Sequence, residues 1–283
     1  MAPGGFSAIA IETTPTARLR ALTLSPDQGG HVVMLCPKDY SNDVVVALAD
    51  VTLLAVEMGV SKDEIPDHHP DAGKFRHEPI FSDISHFNLI FCGGAVTRPH
   101  REQQATYRHR VEGLRLTVSQ LVVAMSRVRH GGALVVLLHR PETWNTCQVM
   151  YVLSQFSRVR SFKPGYAHAT RSSFYLIAED VESESHTAKE AVQRWKALGR
   201  RLTLDTEPGE VVTGGDSDDG DGVNMISGEN VDVVLGKFGR CYLHLSRPIW
   251  QAYARALKKA PWTKKAAGNG ECGRAAAGGR QET

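Results

Sequence analysis

Residues 87–95 read FNLIFCGGA, an apolar run that ends in a pair of glycines. Apolar residues fill it without alternating with polar ones, which is typical of a strand buried on both faces of a parallel sheet. The segments DVVVAL (43–48) and ALVVLLH (133–139) have the same character. Buried strands separated by helical segments predict an α/β fold with a doubly wound, mostly parallel sheet.

Further strands and helices are predicted between and beside these runs. Strands are expected at ARLRALTLS (17–25), RVRSF (158–162) and SSFYLIAE (172–179), and helices at FSAIAIETTP (6–15), VTLLAVEMGV (51–60) and CQVMYVLSQF (147–156). Between Glu102 and Val128 the apolar residues recur with helical spacing, which predicts one helix that HGG (130–132) ends. These elements predict one α/β domain over residues 1–180.

The last hundred residues have a different composition. Residues 186–204 form an amphipathic helical pattern, and residues 231–262 predict a strand-like piece followed by a final helix. An acidic, glycine-rich stretch near 208–224 predicts a flexible loop, and residues 263–283 predict a disordered tail. The sequence therefore predicts a mainly helical extension over 181–262.

Composition narrows the class of protein. The 283 residues are 42% hydrophobic and 23% charged, with a net charge of +2, which is typical of a globular protein. Five scattered cysteines without a CxxC pair indicate free thiols, so we expect a cytoplasmic, nuclear or mitochondrial protein. No secretory signal and no apolar run of about 20 residues is present, so no membrane association is predicted.

Two groups of residues imitate binding sites. The aspartates that start at Asp216 fail the EF-hand ligand spacing, so a solvated linker is predicted there. The group His68, His69, Asp71 and His77 lacks a fixed ligand spacing, so a surface loop and no metal site is predicted for it. The basic runs 98–115 and 255–265 could each contact phosphate, but a solvated helix face is the preferred interpretation of each run taken alone.

A glycine-rich turn, APGGFS, occupies residues 2–7. In an α/β sheet, ligands bind beyond the carboxyl ends of the strands, at the point where the strand order reverses. The turn, Asp50 after one predicted strand, and Cys92-Gly93-Gly94 after another should converge on one crevice. Asp50 could accept hydrogen bonds from an adenine or a ribose, or could serve as a helix N-cap.

The order of the motifs carries a resemblance. APGGFS, LSPDQGGH, ADVTLLAVEMGV, FNLIFCGGA, GGALVVLLHR and KPGYAHATRSSFYLIAE follow one another from Ala2 to Glu179. In this order and spacing they resemble the FtsJ-type (RrmJ-like) methyltransferases, and most closely the divergent branch found in fungi. The resemblance implies a Rossmann-like fold, S-adenosylmethionine as the cofactor, and RNA as the partner that is methylated at a ribose 2′-hydroxyl.

The resemblance also implies roles for individual residues. The cofactor residues that it implies are Pro3, Gly4, Gly5, Phe6 and Ser7 around the methionine part, Asp50 at the adenine, and Gly93 after the strand. Lys163 and Arg171 flank the loop where the family contacts its acceptor, so they are expected to bind substrate phosphate, unless they are ordinary surface charges.

The Lys-Asp-Lys-Glu catalytic tetrad of the family is not recognisable. Gly93 stands where the aspartate is expected, Leu137 or Arg140 stands at the second lysine, and Tyr175 is nearest to the glutamate. Arg140 is the candidate at this position, although an arginine stays protonated and could bind phosphate but not act as a base. The activity is therefore expected to be impaired, or the chain to be a pseudo-methyltransferase that binds RNA or protein.

A strand normally leads into a glycine-rich turn of this kind, but no strand pattern precedes the turn in this sequence. In a doubly wound sheet this strand is central, and each buried backbone group left without a partner costs about 1–3 kcal/mol. The sequence therefore predicts a sheet without its first strand, in a chain that is a truncated piece of a longer product.

Overall fold

The computed structural model describes residues 4–14, 16–34, 43–166, 168–205 and 224–263. Three predicted features, Pro3, the loop residues 208–223 and the tail residues 264–283, lie outside these residues.

The described residues alternate between strands and helices along most of the chain. The strands are β1 (Leu19–Thr23), β2 (Val44–Leu48), β3 (Phe87–Cys92), β4 (Val128–His139), β5 (Arg158–Phe162) and β6 (Ser173–Val181). The helices are α1 (Gly5–Thr13), α2 (Ala55–Met58), α3 (Arg98–Gln103), α4 (Glu112–Met125), α5 (Trp144–Ser154), α6 (His186–Leu204) and α7 (Val231–Lys258).

The strands form two sheets. β1 pairs with β2 in parallel, and the other four strands have the order β3-β4-β6-β5. β3 is parallel to β4, whereas β6 is antiparallel to both β4 and β5, so three of these four strands share one direction. The architecture is the mixed α/β, Rossmann-like arrangement that the apolar runs predict.

Contacts at both ends of β1 join the two sheets. Near its start, Arg20 forms an ion pair with Asp83, which lies shortly before β3. Beyond its end, the Thr97 hydroxyl donates to the Gly29 carbonyl oxygen at 3.3 Å, and Thr97 lies shortly after β3. β1 and β3 are thus tied together at both ends, but they share no backbone ladder among the described residues.

One hydrophobic core joins the sheet to the C-terminal helices. It includes Leu134 and Phe174 from the sheet, Trp195 from α6, and Phe238 and Ile249 from α7, all at most 3% exposed. α6 packs on α4, and α7 packs on α5 and β5. A side-chain cap begins each of the two C-terminal helices. Ser185 caps α6 and accepts from the Ala188 amide at 3.2 Å, and Asn230 caps α7 and accepts from the Val233 amide at 2.9 Å.

Two predictions around the longest strand are wrong. Residues 102–128 are not one helix, because Thr97 caps the separate helix α3 and α4 begins only at Glu112. HGG does not end a helix either, since residues 130–132 lie inside β4. Gly131 has φ +74° and the β4–β6 register shifts beside it, so the glycines form a bulge that keeps the strand continuous.

The predicted strand-like piece near residue 231 is also wrong, because Val231–Lys258 is a single helix. Its valine-rich start favours a strand locally. The buried side chains Val234, Phe238, Leu245 and Ile249 instead recur with helical spacing, and packing against the core outweighs local propensity.

Candidate functional site

The glycine-rich turn begins α1. Gly4 has φ +116°, which favours glycine, and its carbonyl accepts the Ala8 amide at 2.9 Å. A Cβ added to Gly5 would meet nothing within 4 Å, so the space beside the turn is open. The first-turn amides of a helix have no intrahelical acceptor, which makes this end suited to a carboxylate or another anionic group.

Phe6 joins the turn to the four-stranded sheet. Its ring stacks on Phe91 of β3, with centroids 5.0 Å apart, and meets Tyr175 of β6 edge-on at 5.7 Å. Phe91 is two residues before Gly93, and Tyr175 pairs with Leu137 in the β4–β6 ladder. The structure therefore brings the turn close to three of the positions at which the tetrad is expected.

Gly93 lies in the loop after β3, and α4 holds this loop. The Gln120 side chain accepts the Gly94 amide at 2.7 Å and donates to the Gly94 carbonyl at 3.3 Å. A Cβ on Gly94 would lie 2.9 Å from Gln120 Oε1, so a larger residue here would displace the Gln120 amide from its present position. Burial raises the pKa of the preceding Cys92 thiol to about 12, so this thiol stays protonated.

Asp50 follows β2 and is the N-cap of a short 3₁₀ turn. Its Oδ1 accepts the Thr52 amide at 2.9 Å and the Thr52 hydroxyl at 2.8 Å, and its Oδ2 accepts Arg108 Nη1 at 2.9 Å. Burial alone would raise the pKa of Asp50, but the Arg108 charge and these hydrogen bonds outweigh it and hold the pKa below its usual value. A carboxylate has about four acceptor sites, so one site remains on Oδ2.

The Asp50–Arg108 pair belongs to a buried polar network that sequence reasoning missed. Arg108 Nε lies 2.9 Å from Asp71 Oδ2, and Arg115 Nη1 lies 2.8 Å from Glu112 Oε2. The side chains of these four residues are at most 5% exposed. The prediction of a solvated face is therefore wrong for Arg108 and Arg115.

The prediction of a surface position for His69 and Asp71 is wrong as well, since both are buried. His69 Nε2 lies 2.8 Å from the Thr203 carbonyl oxygen, and its Nδ1 accepts the Asp71 amide at 3.1 Å. The sequence signal for the buried polar network was the spacing of Arg108, Glu112 and Arg115, which puts opposite charges on one helical face. Over the described part of the chain, no group of three or more His, Cys, Asp or Glu is placed to hold a metal ion.

Arg140 lies immediately after β4. It has φ +49°, its amide donates to the Ser172 carbonyl at 3.1 Å, and its side chain is 62% exposed beside Glu142. Leu137, the other position considered for the lysine, is an apolar residue within β4. Of the two positions considered for the lysine, Arg140 is thus the one that offers a charged group to solvent.

His139 also lies at this strand end, and sequence reasoning missed it. Side chains two residues apart in a strand share a face, so His139 shares the face of Leu137 and of its ladder partner Tyr175. Partial burial and the nearby Lys163 charge hold the pKa of His139 below its usual value. Its imidazole is therefore neutral at neutral pH and can accept a proton.

Lys163 and Arg171 lie in the loop between β5 and β6. Lys163 Nζ donates to the Arg171 and Ser173 carbonyls at 2.7 and 2.8 Å, which holds the loop closed. Burial lowers the pKa of Lys163. Arg171 itself is exposed, so its guanidinium can meet a phosphate.

Comparison with known proteins identifies the family. The family model described as FtsJ-like methyltransferase matches residues 1–181, which include the turn, Asp50, the β3 loop and all six strands. No curated protein matches the chain. None of the described helices is long and apolar enough to cross a membrane. With a match over more than half of its length, the chain belongs to the FtsJ-like methyltransferase family.

Proposed function

We propose that this methyltransferase uses S-adenosylmethionine to methylate a ribose 2′-hydroxyl of RNA. Members of the family generally use this cofactor and typically bind RNA. The observation that supports the proposal is the packing of Phe6 on Phe91 and Tyr175, because it holds the glycine-rich turn against the strands on which the catalytic positions are expected.

The described residues fit the cofactor at two points. The open space beside Gly5 and the first-turn amides of α1 suit the methionine carboxylate. The remaining acceptor site on Asp50 Oδ2 suits the amino group of the adenine. When bound, S-adenosylmethionine supplies an electrophilic methyl group, whose S–C bond breaks as the O–C bond forms.

His139 is the proposed proton acceptor in place of the tetrad lysine. A ribose hydroxyl is a weak nucleophile at neutral pH, so a positioned base must remove its proton. The imidazole of His139 is neutral, lies at the end of β4 and shares a face with Tyr175, which contacts the turn through Phe6. Arg140 and Arg171 are proposed to hold the phosphates beside the hydroxyl, while Lys163 orders the β5–β6 loop that carries Arg171.

Calorimetric titration with S-adenosylmethionine tests the cofactor part. Saturable binding that Gly5→Asp abolishes is expected, because a carboxylate would occupy the open space beside the turn and repel the cofactor carboxylate. Ile9→Ala, on the exposed part of the same helix, is the control and should bind normally. Absent binding by a protein that still melts cooperatively would contradict the proposal.

Methyl transfer to RNA tests the base. Transfer of labelled methyl groups should produce products that resist alkaline cleavage at the modified nucleotide, since the 2′-oxygen is blocked. His139→Gln should lower kcat by about 10²–10⁴-fold and remove the acidic limb of the pH profile. His168→Gln, in the exposed loop nearby, is the control. An unchanged acidic limb in His139→Gln would exclude His139 as the base.

A second candidate function is a non-catalytic RNA- or protein-binding module. The observation that favours it is the engagement of Asp50 by Arg108 and Thr52, which stabilises the fold without any cofactor. This function predicts RNA or protein binding with neither S-adenosylmethionine binding nor methyl transfer, so the two experiments above separate the candidates.

A further inference from the structure

A row of basic side chains follows the exposed face of α7. Arg240, His244, Arg247, Arg255 and Lys258 are all exposed, and we call them the α7 stripe. Their intervals of four, three, eight and three residues keep them on one side of the helix, because each interval is close to whole helical turns. From Arg240 to Lys258 the stripe extends for about 27 Å at 1.5 Å per residue.

The charge of the stripe is not balanced by acidic neighbours. Asp232, in the first turn, is the only acidic residue in α7. Lys237 is paired with Glu229 at 3.0 Å, but the arginines and the lysine of the stripe form no ion pair with any residue that the structure describes. An exposed helix usually mixes both signs, so this one-sided charge favours a polyanionic partner.

The opposite face of α7 is already used by the core. Val234, Phe238, Leu245 and Ile249 are at most 4% exposed. A helix that binds a bilayer surface inserts its apolar face among the lipids, and this face of α7 is not available for insertion. The polyanion is therefore better matched by a phosphodiester backbone than by a lipid surface.

α7 lies against the edge of the sheet where the reaction is proposed. The Tyr242 hydroxyl donates to the Pro141 carbonyl at 3.0 Å, and Trp250 Nε1 donates to Glu142 at 3.3 Å. Both acceptors directly follow Arg140. Lys163 Nζ lies 5.5 Å from the centre of the Tyr253 ring. The helix that carries the stripe thus adjoins the strand end that holds His139 and Arg140.

We propose that the α7 stripe binds the phosphate backbone of RNA and extends the binding surface beyond the reaction site. The choice of RNA as the polyanion rests on the proposed function. The stripe lies outside residues 1–181, so it adds a binding surface that the family match does not cover. Contacts of this kind fix the position of the nucleic acid and carry no sequence specificity.

The test uses a stripe variant and a control of equal charge. The stripe variant combines Arg240→Gln, Arg247→Gln, Arg255→Gln and Lys258→Gln, and the control combines Lys62→Gln, Arg129→Gln, Lys189→Gln and Lys196→Gln on other surfaces. Binding of a fluorescein-labelled single-stranded RNA of about 20 nucleotides is measured by anisotropy from low to high salt. Circular dichroism and thermal melting verify that both variants are folded.

The stripe variant should bind the RNA at least tenfold more weakly, and the control should remain within about twofold of the natural chain. The slope of log K against log salt should become shallower by about 2–3, since each single-strand phosphate contact contributes about 0.7. Equal losses in both variants, or none in the stripe variant, would overturn the proposal. Preferential binding to phosphatidylserine vesicles that depends on the stripe would also overturn it, in favour of a membrane partner.

The result of the stripe test can be told apart from the results of the cofactor-binding and methyl-transfer tests. Stripe-dependent RNA binding without S-adenosylmethionine binding would support the stripe and reject the enzyme. Methyl transfer that the stripe variant performs with unchanged KM for RNA would support the enzyme and reject the stripe.

Discussion

Arg108 Nη1 lies 2.9 Å from Asp50 Oδ2, although 58 residues separate the two in the chain. The guanidinium also pairs with Asp71, so one arginine compensates two buried carboxylates on different segments. The contact ties the residue after β2 to the chain that leads into α4. Burial by itself would lower the pKa of Arg108, but the charges of Asp50 and Glu112 raise it above its usual value.

Replacing Arg108 should therefore be costly. Arg108→Met leaves Asp50 and Asp71 without their cation, and removing one partner of a buried ion pair costs about 3–5 kcal/mol. Urea unfolding should show this loss in the free energy of unfolding. Arg98→Met is the control. Arg98 pairs with Glu102 but its side chain is 91% exposed, and a surface ion pair contributes about 0–1 kcal/mol. Similar losses in the two variants would show that the buried network does not form.

Removing the Phe6 ring should loosen the glycine-rich turn. Phe6→Ala deletes two aromatic contacts, each of which contributes about 0.5–1.5 kcal/mol, so we expect a loss of about 1–3 kcal/mol in the free energy of unfolding. Ile9→Ala, 58% exposed on the same helix, should lose about 0.5 kcal/mol or less. Equal behaviour of the two variants in thermal and urea unfolding would contradict the Phe6 packing.

The pH dependence of stability should report the contact between His100 and Glu112. The hydrogen bond to Glu112, 2.9 Å away, raises the pKa of His100 in the folded protein despite its partial burial. A raised folded pKa stabilises the protein fully below the unfolded pKa of about 6.5, and this contribution disappears as the pH rises through the folded pKa.

The difference in unfolding free energy between the natural chain and His100→Gln should thus shrink from acidic to alkaline pH. His186→Gln is the control, since His186 is 87% exposed and 3.4 Å from Glu190, where solvent screens the pair. Urea unfolding across the pH range measures both differences. A difference for His100→Gln that stays constant with pH would show that the imidazole is not charged in the folded protein.

Hydrogen exchange should distinguish the strands by their number of neighbours. β4 lies between β3 and β6, and β6 lies between β4 and β5, whereas β3 pairs only with β4 among the described residues. Successive amides of a strand point to opposite sides, so about half of the β3 amides should exchange faster than those of β4 and β6. Uniformly slow exchange along β3 would show that it has a second neighbour in solution.

Local patterns were enough to predict most of the elements. The apolar runs at 87–92 and 133–139 and the amphipathic pattern at 186–204 correspond to β3, part of β4 and α6, because side-chain periodicity records which face is buried. The same reasoning failed at HGG and at Val231, where a bulge and tertiary packing outweigh the local preference of glycine and valine.

The sequence by itself determined the α/β class, the family and the positions of the glycine-rich turn, Asp50 and Gly93, since each depends on residue order and spacing. Only the tertiary structure decided that Arg108 neutralises Asp50, that Phe6 packs on Tyr175 and that His139 has a lowered pKa. Each of these depends on residues far apart in the chain or on burial, and the local sequence encodes neither.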